Sequence, residues 1–477
     1  MFHMKIKKLI AVLLTTCAFA AGTPSSSRLY ANAVNLDDIV IDIDASLEQE
    51  YEFTLKNDGT YEISGYIREI EENPVFTPSP DIYLPKSYKG KPVTSIGDHA
   101  FCTNNFDYIT GTVNIPSSIT SIGKDAFYLC NFTNCVIPES VTSIGISAFS
   151  KTPYLDNLRK QNPVVIVNNV LLDAKTASGD VVLPNTLTTI PSFTFTDNEL
   201  VKSVYIPDSV KEIAPHAFDG CKSLEKFNFP KGIAKINDWS FAHCEKLSGP
   251  LTIPSTVSYI GDGAFWACKN LTSVNIPNGV TYIGGSAFKF CLSVTEVSVP
   301  DSVKVIEGCA FSENHKLENI VIPASVELIG QGCFRYDYSL DYVKILNPNC
   351  EIYDDDDTFP AYTVIYGYEN STAHEYAIKY DRKFVSLGES SVPRLNKGDI
   401  NGDGTVDSSD AAVVLIDYSL TSTGKGSALT DAQKSAADID KDGKIDASDA
   451  SFILRFYSYV STGGTVTDMS KWLNNLL

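Results

Sequence analysis

The sequence is poor in basic residues for its length. It has 38 Lys and Arg against 58 Asp and Glu in 477 residues, a formal net charge of -20 at pH 7. Nucleic acids and anionic membranes are bound through clustered Lys and Arg, so this balance argues against both as partners. Histidine is also scarce, with six residues. The pair His374-Glu375 lacks the second His of a zinc-protease helix and does not form that motif.

No apolar run is predicted to span a membrane. The segment Leu9–Ala21 follows Lys5, Lys7 and Lys8, and is too short to cross a bilayer comfortably. A basic start followed by a short apolar run is typical of a secretory signal, so we predict a signal peptide over residues 1–33 and a secreted protein. Cleavage is expected after Ala33, with Ala20 as the alternative.

Between its ends the chain repeats itself. The phenylalanine of an Ala-Phe-like pair recurs every 23 or 24 residues, at Phe195, Phe218, Phe241, Phe265, Phe288, Phe311 and Phe334. Earlier copies lie at Phe101, Phe127 and Phe149, and the next interval, 46, is two periods, so one degenerate repeat is expected around residues 162–182. A unit this short cannot close its own core, so equivalent apolar positions must stack coil on coil into a solenoid.

The repeat reads Leu-x-x-Val-x-Ile-Pro-x-Ser-Val-x-x-Ile-Gly-x-x-Ala-Phe-x-x-Cys, as in residues 271–291. Over residues 93–348 it resembles the BspA-like bacterial leucine-rich repeat family. The expected fold is a β-rich solenoid with parallel strands and short helical turns. Solenoid ends need covers, so we predict an N-terminal cap over residues 34–92, with a β-hairpin around Asn57-Asp58-Gly59, and a C-terminal cap over residues 349–387.

Ten cysteines remain after the signal, which in a secreted chain first suggests disulfides. Their phase favours another interpretation, because five of them share one repeat position and Cys333 takes the Ala position. We expect small, buried, stacked thiols. The cysteines at the shared position are Cys130, Cys221, Cys244, Cys268 and Cys291.

Two twelve-residue segments near the C-terminus, residues 399–410 and 438–449, carry oxygen-bearing side chains at positions 1, 3, 5, 9 and 12. Ca²⁺ takes six or more oxygens, and Gly404 and Gly443 at position 6 permit the sharp turn that wraps the chain around it. Val406 and Ile445 at position 8 are expected to pack together. We predict two structural Ca²⁺ sites. The assigned residues are Asp399, Asn401, Asp403, Thr405, Asp407 and Asp410 in the first loop, and Asp438, Asp440, Asp442, Lys444, Asp446 and Asp449 in the second.

Each loop runs into one helix-like stretch, residues 411–420 and 450–459, and residues 388–397 before the first loop are typical of a linker. Position 12 is Asp in both loops, where an ordinary EF-hand has Glu. This duplicated loop and exiting helix resembles the type I dockerin of cellulosome-type assemblies, over about residues 398–477. The resemblance implies a small all-α module in which calcium is structural and organises two helices that bind a cohesin module of a scaffold protein.

The resemblance also implies a set of cohesin-binding residues. They are Ser408, Ser409, Leu415 and Ile416 in the first copy, and Ala447, Ser448, Leu454 and Arg455 in the second. The copies align with an offset of 39 but differ at Ser408/Ala447, Ile416/Arg455 and Asp417/Phe456. Near-identical halves permit binding in two orientations, whereas these halves predict one dominant orientation.

The ligand of the repeats is less constrained by the sequence. The outward row of the Ile-Pro strands is expected to be Tyr205, Asn228, Thr252, Asn275, Ser298, Val321 and Lys344. This row and the one beside it hold only Tyr205 and Tyr342 as aromatic platforms, which favours protein recognition or adhesion over polysaccharide binding. Residues 354–357, four consecutive Asp, lack the spacing of a cation cage and are expected to form a solvated loop.

The predicted modules leave no stretch of domain size for the paired carboxylates of a glycoside hydrolase. The sequence therefore predicts a non-catalytic component of an extracellular polysaccharide-degrading complex, attached through its dockerin and located outside the cell or at its surface through a scaffold. One alternative is a solenoid that binds polysaccharide directly. Another is an enzyme or enzyme inhibitor acting in polysaccharide catabolism.

Overall fold

The computed structural model describes residues 51–66, 81–102, 110–390, 395–440 and 442–474. The predicted signal peptide lies outside these residues, as do residues 391–394 of the predicted linker. Within the described ranges, no helix combines the length and the apolar character needed to cross a membrane. The chain divides into two compact units, one up to Val201 and one from Lys202 onward.

The first unit opens with a hairpin. Strands β1 (Tyr51–Leu55) and β2 (Tyr61–Tyr66) pair antiparallel. The turn between them closes with a hydrogen bond from the Gly59 amide to the Lys56 carbonyl, 3.0 Å. Gly59 has a φ of +81°, a conformation that glycine adopts without a steric penalty. Because β2 also pairs parallel with β5 (Lys91–Ile96), the hairpin covers the first coil of this unit.

The coils of the first unit consist of short parallel strands. One ladder is β2, β5, β7 and β9, and another is β3, β6 and β8. The remaining strands of this unit are β3 (Ile82–Tyr83), β4 (Ser87–Tyr88), β6 (Thr112–Asn114), β7 (Ser121–Ile122), β8 (Asn134–Val136), β9 (Ser143–Ile144), β10 (Val165–Val167), β11 (Val170–Asp173), β12 (Gly179–Val182) and β13 (Thr189–Ile190).

The expected degenerate repeat, around residues 162–182, contains a hairpin and is preceded by a helix. Helix α1 (Pro153–Gln161) starts where the Thr152 hydroxyl accepts a hydrogen bond from the Leu155 amide and proline occupies the first turn. Strands β10 and β11 then pair antiparallel through Asn168 and Asn169, whose φ values are 47° and 63°. Two successive left-handed residues form the turn that joins two adjacent strands. The sequence phase is thus preserved by a different local structure.

The second unit contains long parallel ladders. Its strands are β14 (Val201–Tyr205), β15 (Glu212–Ile213), β16 (Lys226–Phe227), β17 (Lys235–Ile236), β18 (Ser248–Thr252), β19 (Tyr259–Ile260), β20 (Asn270–Asn275), β21 (Tyr282–Ile283), β22 (Glu296–Ser298), β23 (Val305–Ile306), β24 (Asn319–Ile322), β25 (Leu328–Ile329), β26 (Tyr342–Ile345), β27 (Glu351–Ile352), β28 (Val364–Gly367) and β29 (Phe384–Ser386). Ile260, Ile283 and Ile306 of the Ile-Gly motif are paired in register across the ladder β17-β19-β21-β23-β25-β27. The expected parallel-stranded solenoid is confirmed.

The repeat phenylalanines form a continuous buried stack within the second unit. Ring centroids from Phe218 through Phe241, Phe265, Phe288, Phe311 and Phe334 to Phe359 lie 5.2 to 5.7 Å apart. Each ring from Phe218 to Phe334 is held in a turn whose residues two before and two after the Phe are left-handed, as Ser286 (φ 56°) and Phe290 (φ 61°) are around Phe288. This backbone lets the turn amides bond the next coil, as when the Phe288 amide donates to the Ala310 carbonyl at 2.8 Å.

In some coils the residue after the repeat isoleucine must be glycine, because neighbouring coils approach closely there. A Cβ on Gly284 would lie 2.6 Å from the Asp262 amide nitrogen, and one on Gly330 would lie 2.4 Å from the Gly308 nitrogen. Real Cβ atoms do not approach backbone so closely, so these positions exclude other residues.

The cysteines of the described residues are free thiols, and those in the shared repeat position are fully buried, as predicted.

The outward strand row is mostly exposed, but Asn228 is not free to bind a partner. Its side-chain amide donates to the Ile206 carbonyl at 2.7 Å and accepts from the Ile206 amide at 2.9 Å. Asn228 thus ties two coils together, and its side-chain amide is already engaged within the solenoid.

The second unit also contains five helices within its described residues. Helix α2 (Thr372–Lys379) lies between β28 and β29. The C-terminal segment contains α3 (Ser408–Ser422), α4 (Asp431–Ala437), α5 (Ala447–Ser461) and α6 (Met469–Asn474). Sequence analysis anticipated α3 and α5 but missed α4, although Thr430 and Gln433 carry the capping-box pattern that begins it.

Candidate functional site

The two predicted cation loops lead directly into α3 and α5, which share one apolar core. Val414 and Ile453 occupy equivalent places in the two helices and are fully buried. Val406 and Ile445, at position 8 of the loops, are partly buried against the same core. The core also contains Trp472 of α6, which lies 5.4 Å from the Phe456 ring. The loops are therefore held by a common packed base.

The first loop is wrapped around its leading carboxylate. Asp399 accepts hydrogen bonds from the amides of Gly402, at 2.9 Å, and Gly404, at 3.0 Å. Gly404 has a φ of +88°, so position 6 requires glycine, as the spacing indicated. The Asn401 side-chain oxygen accepts from the Asp403 amide at 2.8 Å, so positions 1 and 3 both turn toward the loop interior.

The second loop gathers its acidic groups more tightly. Asp438, Asp440 and Asp442 each place a carboxylate oxygen within 4.8 Å of the others. Asp438 Oδ1 is buried and has no hydrogen-bond partner. A buried acceptor without a donor, facing two further carboxylates, is unfavourable unless a cation occupies the space between them. The donor set, all oxygen, is the type that calcium prefers, so the residues present fit this ion.

The Asp at position 12 has a second role that the sequence spacing did not reveal. Asp410 Oδ1 accepts from the Ile400 amide at 2.8 Å and Oδ2 accepts from the Asp407 amide at 3.0 Å. Asp407 is the N-cap of α3, so the two Asp form a reciprocal capping box, and Asp446 with Asp449 repeats it at α5. Burial raises the pKa of both Asp410 and Asp449. The shorter Asp thus couples each loop to the start of its helix.

All eight residues that the family resemblance placed in the partner-binding set are exposed. Ser409 and Ser448 are tied to their loops, because Ser409 Oγ accepts from the side-chain Nδ2 of Asn401 at 2.7 Å and Ser448 Oγ donates to Asp440 at 2.9 Å. A change in loop conformation would therefore shift Ser409 and Ser448 on the exposed helix surface.

Two further residues extend this surface and were missed. Tyr418 and Tyr457 are 42% and 41% exposed, and each lies one helical turn after the equally exposed Leu415 or Leu454. The offset of 39 between the copies aligns Tyr418 with Tyr457, and this repeated aromatic position could have identified both from the sequence. The pair Asp417/Phe456 does not belong to the surface, since both residues are buried and the Asp417 carboxylate accepts from Ser427 and Ala428. Their difference distinguishes the cores of the two copies, not the exposed faces.

Residues 354–357 are largely satisfied by neighbours. Asp354 pairs with Lys379 and accepts from the Tyr380 hydroxyl at 2.7 Å. Asp357 pairs with Arg335 at 2.6 Å. Asp355, Asp356 and Asp357 come within 4.8 Å of one another, and within this group Asp357 has the Arg335 partner while Asp355 accepts from the Gln331 side chain at 2.9 Å.

Comparison with known protein families gives two matches. The model of the BspA type leucine rich repeat region matches six copies, over residues 81–172, 168–250 and 249–359. The model of the dockerin type I domain matches residues 397–456. A search of curated protein sequences finds no match. Both matched modules are non-catalytic, type I dockerins bind calcium and cohesins, and both modules are typical of extracellular proteins.

Several solved structures are similar to the chain. A leucine rich cell surface protein from Faecalibacterium prausnitzii is 23% identical, with 70% of this chain and 96% of that chain covered and a TM-score of 0.38. The pneumococcal vaccine antigen PcpA is 17% identical, with 70% and 96% covered and a TM-score of 0.40. A leucine-rich repeat protein from Bacteroides ovatus is 23% identical, with 73% and 100% covered and a TM-score of 0.33.

Proposed function

Because the chain belongs to the BspA-type leucine-rich repeat family and carries a C-terminal type I dockerin domain, we propose that it is a non-catalytic component of an extracellular, cellulosome-type complex. The dockerin attaches the chain to a cohesin of a scaffold protein, and the repeats serve protein recognition or adhesion. The predicted signal peptide, residues 1–33, agrees with this location. The boundaries given above for the caps, repeats, linker and dockerin form part of this proposal.

The observation that carries the proposal is the duplicated loop and helix on one packed base. Two calcium ions would be held by the loop residues assigned above, six in each copy. Asp438 supports this assignment because its buried Oδ1 has no protein donor. Bound calcium would supply charge neutralisation for the converging carboxylates, while the capping boxes of Asp410 and Asp449 fix where each helix begins.

The partner surface consists of the exposed residues of α3 and α5. The proposed contacts are Ser408, Ser409, Leu415 and Ile416, together with Ala447, Ser448, Leu454 and Arg455. An exposed Leu in each helix, 42% accessible in both, supplies the apolar centre that an interface needs. Tyr418 and Tyr457 extend that centre by one helical turn.

The repeats favour a non-catalytic role. Their interior is filled by the Phe stack, the Ile ladder and the Cys thiols, which leaves coil surfaces as the available binding area. The outward strand row presents small polar residues such as Thr252, Asn275 and Ser298 at exposed positions. A flat polar face of this kind suits a protein partner better than a sugar chain on aromatic platforms.

Calorimetry on the full chain tests the proposal. The chain is titrated with a panel of purified cohesin modules, in calcium and in excess chelator. Saturable binding to one class of cohesin, lost in chelator and weakened by Leu454→Asp but not by Val321→Asp on the repeats, is the expected result. Val321 is the matched control because it is 44% exposed. A calcium-loaded chain that binds no cohesin would contradict the proposed attachment.

A further inference from the structure

Several aromatic residues of the second unit lie along the turn edge of the coils, in addition to those on the strand face. Tyr336 and Tyr338 follow the repeat residue Phe334 by two and four positions, and Phe290 follows Phe288 by two. Equivalent positions of a solenoid line up on one edge. The Trp266 ring belongs to this edge too, 6.3 Å from Phe290. The scarcity of aromatic platforms on the strand row therefore does not describe the whole repeat surface.

Three tyrosines of this edge surround an open pocket of about 280 Å³. Tyr336 is 42% exposed, Tyr338 63% and Tyr362 51%. Asp356, Asp357 and Arg382 complete the wall, and Phe359 lies at its base. Large aromatic rings grouped in the open around a concavity are uncommon on a surface with no ligand.

The aromatic rings are held in place by their neighbours. The Arg335 guanidinium lies over the Tyr336 ring at 4.8 Å and pairs with Asp357 at 2.6 Å. The Tyr362 hydroxyl donates to the Asp337 carbonyl at 2.9 Å, which fixes the ring while leaving its face open. Tyr338 packs on His315 with 5.0 Å between ring centroids. Preorganised rings lose little conformational entropy when a ligand binds.

The wall of the pocket contains both a hydrogen-bond donor, Arg382, and acceptors, Asp356 and Asp357. One terminal nitrogen of Arg382 donates to the Asp356 carbonyl at 2.6 Å, and Arg382 Nε is buried without a partner. The carboxylates of Asp356 and Asp357 border the same cavity. A pyranose ring presents an apolar C–H face, which stacks on an aromatic ring, and an edge of hydroxyls that both donate and accept hydrogen bonds.

We propose that the pocket bordered by Tyr336, Tyr338, Tyr362 and Arg382 is a glycan-binding site for a neutral polysaccharide. Two carboxylates at the pocket and a net charge of -20 disfavour uronate or sulfate groups. The open mouth of the pocket suits a sugar within a longer chain. This site is independent of the dockerin and would add a second attachment, to substrate, beside the attachment to a scaffold.

Affinity electrophoresis of the full chain tests this inference. Native gels are cast with mixed-linkage β-glucan, xyloglucan, arabinoxylan, galactomannan or soluble starch, and migration is compared with a gel that contains none. Tyr338→Ala and Tyr362→Ala remove the two most exposed platforms of the pocket. Tyr205→Ala is the matched control, because Tyr205 is 56% exposed on the strand row. Circular dichroism verifies that all variants are folded.

Retardation by at least one of these polysaccharides, in calcium and in chelator alike, is the expected result. Tyr338→Ala should weaken the retardation about tenfold, as loss of a central aromatic contact does, and Tyr205→Ala should leave it unchanged. Two outcomes would overturn the inference: no retardation in any gel, or equal retardation of Tyr338→Ala and the unmodified chain.

Discussion

The thiol of Cys268 donates a hydrogen bond to the carbonyl oxygen of Phe241, 3.2 Å away in the neighbouring coil. Cys244 makes the same bond to Phe218 at 3.4 Å, and Cys291 makes it to Phe265 at 3.4 Å. These three shared-position thiols, and Cys130 with Phe101 at 3.3 Å, thus bond to the backbone carbonyl of a repeat Phe. Coils are joined here by buried thiol hydrogen bonds, which explains why the cysteines recur in phase without forming disulfides.

Cys268→Ala should lower the free energy of unfolding by about 1–2 kcal/mol, because the variant loses buried contacts and a hydrogen bond. Urea denaturation followed by circular dichroism measures this. Cys309→Ala is the control, since Cys309 is only half-buried, and its effect should be smaller.

In the folded chain, Cys291 should resist iodoacetamide at pH 8, because burial raises the pKa of its thiol to about 12. Rapid native labelling of Cys291 would contradict this description.

Phe265→Ala should cost about 3–5 kcal/mol, because it opens a cavity in the middle of the aromatic stack. The Phe265 ring lies 5.5 Å from both Phe241 and Phe288, so two contacts are lost. Phe265→Leu, which keeps most of the volume, should cost clearly less. The midpoint of thermal unfolding for the two variants gives the comparison. Equal costs would show that the lost aromatic contacts, and not the cavity, account for the destabilisation.

Asp337→Asn should stabilise the chain at neutral pH by about 1 kcal/mol or more. Asp337 is fully buried, and burial raises its pKa well above the ordinary 3.8. The folded state therefore holds this proton more tightly than the unfolded state. The stability that this provides is complete below pH 3.8 and is lost as pH rises through the folded-state pKa.

Asparagine keeps an oxygen for the Asn314 amide, which donates to Asp337 Oδ1 at 2.7 Å, and it never ionises. Urea midpoints of Asp337→Asn and the unmodified chain should diverge at pH 8 and converge near pH 4. Asp341→Asn, at an exposed position, supplies the control and should show no such trend. A constant difference across this pH range would mean that ionisation of Asp337 is not responsible.

Asp440→Ala should remove one of two calcium-binding events in a calorimetric titration, or weaken it at least tenfold. Asp440 brings a carboxylate oxygen within 4.8 Å of those of Asp438 and Asp442, and its other oxygen accepts from Ser448. The first loop should still bind. Asp356→Ala, which removes an exposed acid outside both loops, should leave both events unchanged. Two unaltered events in Asp440→Ala would contradict the assigned ligands.

Leu415→Ala and Leu454→Ala should weaken cohesin binding unequally, by a ratio of about tenfold. The two leucines hold the same position in the two copies and are equally exposed, at 42%. Their neighbours differ in charge, since Ile416 of one copy corresponds to Arg455 of the other. A cohesin should therefore prefer one orientation of the dockerin. Comparable losses in both variants, measured by calorimetry in calcium, would indicate two equivalent orientations.

The features that were predicted correctly from the sequence depend on interactions between residues close together in the chain. The Phe period and the Ile-Pro strand ends repeat because each coil is chemically alike, so a one-dimensional pattern predicts the parallel ladders. The acidic loops are similarly local, since one twelve-residue segment supplies a complete set of oxygen ligands. Gly404 shows this well: its place at position 6 predicts the positive φ of 88° that the structure has.

Failures occurred where a side chain's surroundings depend on other coils or helices. Asn228 was placed in a recognition row, but its amide bonds the backbone of the preceding coil at Ile206. Asp417 was noted only as a position where the two copies differ, and the structure shows that it is buried and bonds Ser427. The repeat pattern does not indicate Ile206 or Ser427 as partners, so periodicity could not assign these hydrogen bonds.

The sequence by itself determined the repeat architecture, the two acidic loops and the helices that leave them, because periodicity and ligand spacing act over a few residues. Only the tertiary structure decided which polar residues are free and which link coils. It alone brought Tyr336, Tyr338, Tyr362 and Arg382 to one pocket, since these residues come from successive coils and from the segment after helix α2. Stacking sets which side chains meet, and stacking is a property of the folded chain.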